Sequence, residues 1–128
     1  MKLLLDTHIW LWSLREPQRL GKRTIHALND TENELWLSPV SLWEALLLAR
    51  KGRISIQGDL GTWQDRATAR FREAPLTFEV ALTAHLLPLH SDPADRFLAA
   101  TAKVLGLTLV TADQRLLGLG EIATLANR

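Results

Sequence analysis

The chain has 128 residues, 47% of them hydrophobic and 23% charged, with a formal net charge of +1; this is globular composition, enough for one domain with a real core but not for two. It contains no cysteine, which excludes disulfide frameworks, zinc–thiolate sites, iron–sulfur clusters and a cysteine nucleophile, and leaves oxygen or imidazole to hold any metal. The near-neutral balance gives no bulk argument for nucleic acid, and the longest run free of Asp, Glu, Lys and Arg, residues 80–91, falls short of the ~18 apolar residues a membrane helix needs.

Residues 3–5 form a short apolar strand that ends at Asp6, too early for a signal-peptide core, so a cytosolic protein is expected. Thr7 is placed to cap a helix through about Leu14. Residues 22–29 read as a second helix and residues 34–38 as a second buried strand, stopped by Pro39. Leu42, Ala45, Leu46 and Ala49 recur at i, i+3, i+4 and i+7, so residues 41–51 are an amphipathic helix closed by Gly52. A helix over 59–73, a strand over 75–77 and a helix over 79–87 ended by Pro88 follow, then a loop over 88–92. Asp92-Pro93 has the form of an N-cap and first helical residue, opening a helix that runs to Lys103 or Val104 before Gly106. Residues 107–110 are a strand, followed by Thr111-Ala112-Asp113, a short helix, and a last edge strand over 122–125. Strands that alternate with helices and read as continuous apolar runs imply a parallel sheet covered on both faces, a three-layer α/β/α sandwich in one domain spanning residues 1–128.

In such sheets the working site lies at the carboxyl ends of the strands. Asp6 directly follows the first strand and Asp113 the strand over 107–110, while Glu44 and Asp95 stand early in helices. Carboxylates packed together repel, and a divalent cation is the natural neutraliser. Hard oxygen donors without Cys or a His-x-x-x-His helix favour Mg²⁺ or Mn²⁺ over zinc, and such an ion supports phosphodiester hydrolysis. Each acid also has a structural reading. Ser41-Leu-Trp-Glu44 matches a capping box, Asp92 an N-cap, Asp95 a partner of the helix dipole, and Asp113 and Thr111 plain capping.

Four blocks go beyond these single residues: Leu4-Leu5-Asp6-Thr7-His8-Ile9-Trp10-Leu11-Trp12; Ser38-Pro-Val-Ser41-Leu-Trp43-Glu44; His90-Ser-Asp92-Pro-Ala-Asp95-Arg96-Phe-Leu-Ala-Ala-Thr-Ala; and Leu109-Val-Thr111-Ala-Asp113. Together they resemble a PIN-domain nuclease, and more narrowly the VapC-type toxins of VapBC toxin–antitoxin pairs, over nearly the whole chain. The resemblance implies a Mg²⁺- or Mn²⁺-dependent endoribonuclease that leaves a 5′ phosphate and a 3′ hydroxyl. It implies Asp6 and Asp95 as core metal ligands, Glu44 as a ligand through oxygen or water, and Asp113 as a more variable fourth, with Thr111 supporting the pocket by hydrogen bonding. Thr7 and Arg96, adjacent to Asp6 and Asp95, are read as further supporting residues. It also implies an RNA substrate, a VapB-type antitoxin lying over the early helices, and a homodimer. Ala94 departs from the family pattern, which usually places an aromatic between Pro and Asp.

Committing four of the 14 acids to a metal leaves 15 basic residues against 10 acidic, a balance of +5. Arg50, Lys51 and Arg53 at the end of the Glu44 helix, with Arg66, Arg70 and Arg72 on the next one, are therefore candidates for an RNA-facing surface, against the plainer reading of solvated helix faces. Arg96 is the better single candidate for a phosphate or carboxylate contact. Trp10 and Trp12 cannot share one helix face, so at least one is incompletely buried, whereas Trp36, Trp43 and Trp63 read as core. His8 and His90 fall near the site but read as structural. A phosphatase of the haloacid dehalogenase type would need Asp where His8 stands, and a receiver domain would need paired acids after its first strand. The remaining alternative is a PIN scaffold that binds RNA or protein without cutting.

Overall fold

The computed structural model describes residues 1–128. Five strands, β1 (Lys2–Leu5), β2 (Glu34–Leu37), β3 (Arg72–Glu73), β4 (Thr108–Thr111) and β5 (Ala123–Ala126), form one sheet in the order β3-β2-β1-β4-β5, with every pairing parallel. The register sets Leu4 of β1 beside Trp36 of β2 and beside Leu109 of β4. The chain runs outward from β1 to β2 and β3, then crosses back to the other side of β1 for β4 and β5. The reversal falls between β1 and β4, and open α/β sheets bind ligands outside the carboxyl ends at such a point.

Alternation along the central strands divides the core in two. Leu3, Leu5 and Val110 face one apolar cluster, which is completed by α1 (Thr7–Arg15), α2 (Lys22–Asn29), α3 (Pro39–Arg50) and α4 (Leu60–Thr68). Leu4 and Leu109 face the other, built with α5 (Phe78–Leu86), α6 (Pro93–Leu105) and α7 (Gln114–Leu117). Leu3, Leu4, Leu5, Leu109 and Val110 are all fully buried, which is why these strands read as unbroken apolar runs. The expected three layers are present. No helix is long and apolar enough to cross a membrane.

Several boundaries differ from the expectation, each for a local reason. Asp6, not Thr7, caps α1, its side chain accepting from the backbone N–H of Thr7 at 2.7 Å. Helix α3 starts at Pro39, capped by Ser38, whose Oγ accepts from Val40 N at 3.1 Å; proline is favoured in a first turn because that turn needs no N–H donor. The helix expected over 59–73 stops at Thr68, because Arg72 and Glu73 pair with Trp36 and Leu37 as β3. Two exposed residues carry no periodic signal. The strand expected over 75–77 does not form: Pro75 has no N–H for a ladder, and Thr77 instead caps α5 through Val80 N at 3.2 Å. Asp92 caps α6 as expected, and Gly106 ends that helix at φ +66°, a left-handed position that favours glycine.

Trp10 is fully buried, its indole N–H donating to Ala67 O at 2.9 Å, while Trp12 is half-buried. Trp36 and Trp63 pack against the two core clusters from partly buried positions. Trp43 corrects the core expectation: α3 seats itself through the small buried residues Ser41 and Ala45, so Trp43 turns outward and is 61% exposed. Helix α5 leaves Phe78, Leu82 and Leu86 at 98%, 61% and 69% exposure, spaced i, i+4, i+8 as one stripe.

Candidate active site

A cavity of about 290 Å³ opens at the carboxyl edge of the sheet, lined by Asp6, Glu44, Asp92, Asp95 and Asp113 together with Thr7, His8, Trp12, Ala112 and Arg115. All four acids singled out in the sequence are there. Asp6 arrives at the end of β1, Asp113 follows β4 as the N-cap of α7, and Asp95 lies in the first turn of α6. Glu44 sits in the second turn of α3. Because Ser38 is the cap of that helix, Ser41 and Glu44 lie inside it and the capping-box alternative for this pair falls away.

Each acid is held by a polar partner. Asp6, only 8% exposed, accepts from Thr7 N at Oδ1 and from the Thr111 hydroxyl at Oδ2, both at 2.7 Å. The second bond joins the ends of β1 and β4. Thr111 Oγ1 in turn accepts the backbone N–H of Asp113 at 3.0 Å. Thr7 has one hydroxyl proton and gives it to Glu44 Oε1, so Ser41 Oγ, 2.8 Å away, completes the chain by donating to Thr7. Asp95 Oδ2 is 2.7 Å from His90 Nε2, and while Asp95 is ionised that nitrogen carries the proton. His90 Nδ1 is buried without a partner. Asp113 takes Arg115, whose Nη2 is 3.1 Å from Oδ2.

Burial pushes the carboxyls of Asp6, Glu44 and Asp95 above their ordinary range. The bonds from Thr111, Thr7 and His90 pull the other way, and neighbouring acids add to the rise: Asp95 on Asp6, Asp6 on Glu44, Asp92 and Asp113 on Asp95. Asp113 is the exception, held below its ordinary range by the side-chain bond from Arg115. Three carboxyls with raised pKa, Asp6 buried and Glu44 and Asp95 half-buried, mark a cluster short of positive charge. The donor set is hard oxygen, which fits a divalent cation of the Mg²⁺ or Mn²⁺ kind. The tightest trio of ligand-type atoms, within 4.8 Å of one another, is His90, Asp92 and Asp95. Asp92 caps α6 just as Asp6 caps α1 and Asp113 caps α7, and it lines the same cavity, so this trio is the exposed flank of one acidic centre and not a separate site.

Two expectations are corrected here. Arg96, beside Asp95 in sequence, points its guanidinium away: it donates to the carbonyls of Ala84, Leu87 and Leu89 at 2.7, 3.0 and 2.7 Å, tying the end of α5 and the following loop to α6. Arg72 lies on β3, not on the helix before it, over Trp36 and 3.9 Å from Glu34. Of the other basic candidates, Arg70 donates to Leu28 O at 2.6 Å. Arg50 and Arg53 border a larger open cavity of about 880 Å³ with Arg15, which shares no lining residue with the acids. Sequence reasoning missed Arg115 and the His90 contact. Arg115, two residues past a candidate ligand in a capping turn, was the findable one.

Burial of charge fixes the sign of the pH response. The raised pKa values of Asp6, Glu44 and Asp95 give a stabilising contribution that is complete below the unfolded values near 3.8 and 4.5 and is lost as pH rises through the folded ones. Asp6→Asn therefore raises the melting temperature of the metal-free protein at pH 7 by a few degrees, and the gain shrinks toward pH 4. Added Mg²⁺ is expected to raise the melting temperature of the parent protein but not that of this variant. Circular dichroism melts in chelator and in Mg²⁺ check both, and a variant less stable than the parent at pH 7 without metal would contradict the charge argument. Arg96→Ala, by contrast, is expected to cost about 1.5–3 kcal/mol of folding stability from three orphaned carbonyls, read by urea denaturation.

Comparison with known proteins shows the family and the fold. The model of the PIN domain matches residues 3–122. The sequence is 37% identical to Ribonuclease VapC22 of Mycobacterium tuberculosis over 116 residues, 89% of this chain and 88% of that protein. Among solved structures, VapBC2 from Rickettsia felis, bound to a DNA fragment from their promoter, shares the fold at a TM-score of 0.76 and 16% identity, with 98% of each chain covered. A toxin–antitoxin complex from Klebsiella pneumoniae does so at 0.71 and 18%, again over 98% of each chain. A four-acid cavity at the switch point of this sheet, and a family match over nearly the full length, place the chain in the PIN-domain family, with the VapC-type proteins as its relatives.

Proposed function

We propose that the protein is an endoribonuclease toxin of the VapC type that hydrolyses RNA phosphodiester bonds in the cytosol and is restrained by a cognate VapB-type antitoxin. The observation that carries this reading is the single cavity at the carboxyl ends of β1 and β4 that Asp6, Glu44, Asp95 and Asp113 all line. The 37% identity to a ribonuclease supports the substrate class, and the toxin–antitoxin complexes among the structural relatives support the partner.

Asp6 and Asp95 would hold a Mg²⁺ or Mn²⁺ ion, with Glu44 and Asp113 completing the set. When bound, such an ion polarises a phosphoryl oxygen and lowers the pKa of water at the site. The chain's own residues set the geometry. Thr111 and Thr7 N fix both Asp6 oxygens, and His90 fixes one Asp95 oxygen. Thr7 engages Oε1 of Glu44 and leaves Oε2 free to orient water or the ion. Attack of water on phosphorus expels the 3′ oxygen and leaves a 5′ phosphate. The N-termini of α1, α6 and α7 point their positive dipole ends at this edge, which favours the phosphate as well as the acids.

The decisive experiment incubates the purified chain, free of partner, with mixed cellular RNA, with and without Mg²⁺ or Mn²⁺, beside Asp6→Asn. Discrete metal-dependent fragments that vanish in the variant are expected, with activity down at least a hundredfold. Intact RNA after incubation with folded, metal-binding protein would move the reading to a PIN scaffold that binds RNA or protein without cutting.

The exposed stripe of Phe78, Leu82 and Leu86 on α5 supports pairing with a second copy. Its centre, Leu82, can lie on a two-fold axis with Phe78 against the other copy's Leu86. Light scattering should give a dimer mass for the parent protein and a monomer mass for Leu82→Glu, and a monomeric parent at tens of micromolar would remove this assembly.

A further inference from the structure

We infer that Arg115 is a built-in counter-cation of the acid cavity, displaced by the divalent ion and then free to clamp a phosphate of the RNA strand. This rests on the nuclease reading for its second half only. Three bonds tie Arg115 to Asp113: its backbone N–H to Oδ1 at 2.8 Å, its Nε to the same oxygen at 3.4 Å, and its Nη2 to Oδ2 at 3.1 Å. The same Nη2 lies 3.8 Å from Asp95 Oδ2. One guanidinium thus spans the two acids that close the open side of the cavity.

Its other properties suit a mobile cation. The side chain is 60% exposed, so the pair is only weakly held against water and salt. A divalent ion held by the acids of this cavity would carry twice the charge of the guanidinium, and Arg115 would then give up its contacts with Asp113 Oδ2 and Asp95 Oδ2. Asp113 does not lose its aim when that happens, because the backbone N–H of Arg115 still caps it. The released fork remains at the cavity mouth, where its planar donors match two oxygens of one phosphate. No other arginine is so placed. The Arg96 donors are taken by three carbonyls, and Arg19 stacks over Trp12 at 4.6 Å while pairing with Glu16.

The test uses Arg115→Gln, with Lys103→Gln as control, since Lys103 pairs with Glu121 and lies eight residues, about 12 Å, along α6 from Asp95. Calorimetric titration of Mn²⁺ into RNA-free protein reads the first half. Affinity should rise about threefold to tenfold in Arg115→Gln and stay within twofold in the control. Anisotropy of a fluorescein-labelled single-stranded RNA oligonucleotide, with Ca²⁺ in place of Mn²⁺, reads the second half without any cleavage. Its Kd should rise about tenfold in Arg115→Gln, and the slope of log Kd against log salt should fall by about 0.7, the value for one phosphate contact on a single strand. Unchanged Mn²⁺ affinity in Arg115→Gln, or an equal gain in the control, would overturn the counter-cation role. Unchanged RNA affinity and salt slope would overturn the clamp. If the parent protein binds Mn²⁺ but neither binds nor cuts RNA, the nuclease reading fails while the Mn²⁺ comparison still decides the first half.

Discussion

Burying negative charge at a single point is the constraint around which this molecule is arranged. Asp6 is nearly enclosed, with Glu44, Asp95 and Asp113 around the same small cavity. Four carboxylates around one cavity, one of them buried and three half-buried, oppose folding unless something offsets them. The sheet supplies one answer in its topology. Strands β1 and β4 are neighbours at the point where strand order reverses, so their carboxyl ends bring Asp6 and Thr111 together, and the bond between those side chains ties the site into the centre of the sheet. Helix N-termini supply a second answer: Asp6, Asp92 and Asp113 each cap the helix that follows, and Asp95 lies in the first turn of α6, where partial positive charge is greatest.

A pattern runs through the side-chain partners. Thr7 holds Glu44 by one oxygen and His90 holds Asp95 by one oxygen. The second oxygen of each takes no hydrogen bond from the protein. Such a cluster is oriented but not satisfied, which is what a metal centre requires of its apo state: ligands already aimed, with charge still to be neutralised. The same electrostatics make the metal-free fold less stable at neutral pH than it would be with neutral groups there, a local cost of the kind expected at working sites.

Much of this was legible in the sequence, for reasons that can be named. The run Leu3-Leu4-Leu5 is buried on both faces of a central parallel strand, and only that setting produces unbroken apolar runs followed at once by an acid. Asp6 and Asp113 follow from the strand-end rule alone. Glu44 was a candidate by the same rule but shared its place with a capping-box reading, because Ser41 mimics a helix cap one turn inside the true start; the four blocks taken together tipped that balance. What stayed hidden depended on tertiary pairing. Strand β3 exists because β2 offers it an edge, and nothing local in Arg72-Glu73 announces a strand. Trp43 looked like core by composition, yet helix α3 packs through its smallest residues. His90 was placed near the site but read as structural, since a lone histidine in a loop does not announce its partner, here Asp95.

Arg96 shows how a residue beside the site can matter to it without touching it. Its guanidinium gathers the carbonyls of Ala84, Leu87 and Leu89, the last turn of α5 and the first residues beyond it. Those residues lead directly into His90. The path of the loop therefore depends on a side chain anchored in α6, the helix that also carries Asp95, so the donor and the acceptor of the His90–Asp95 contact are fixed to one rigid element. With a neutral residue at 96 the loop would lose three anchors while both partners of that contact stayed in place chemically. Any loss of activity would then come from misplacing His90, and it would travel with a loss of stability. A phosphate contact would do the reverse, weakening RNA binding in a protein that folds as well as before.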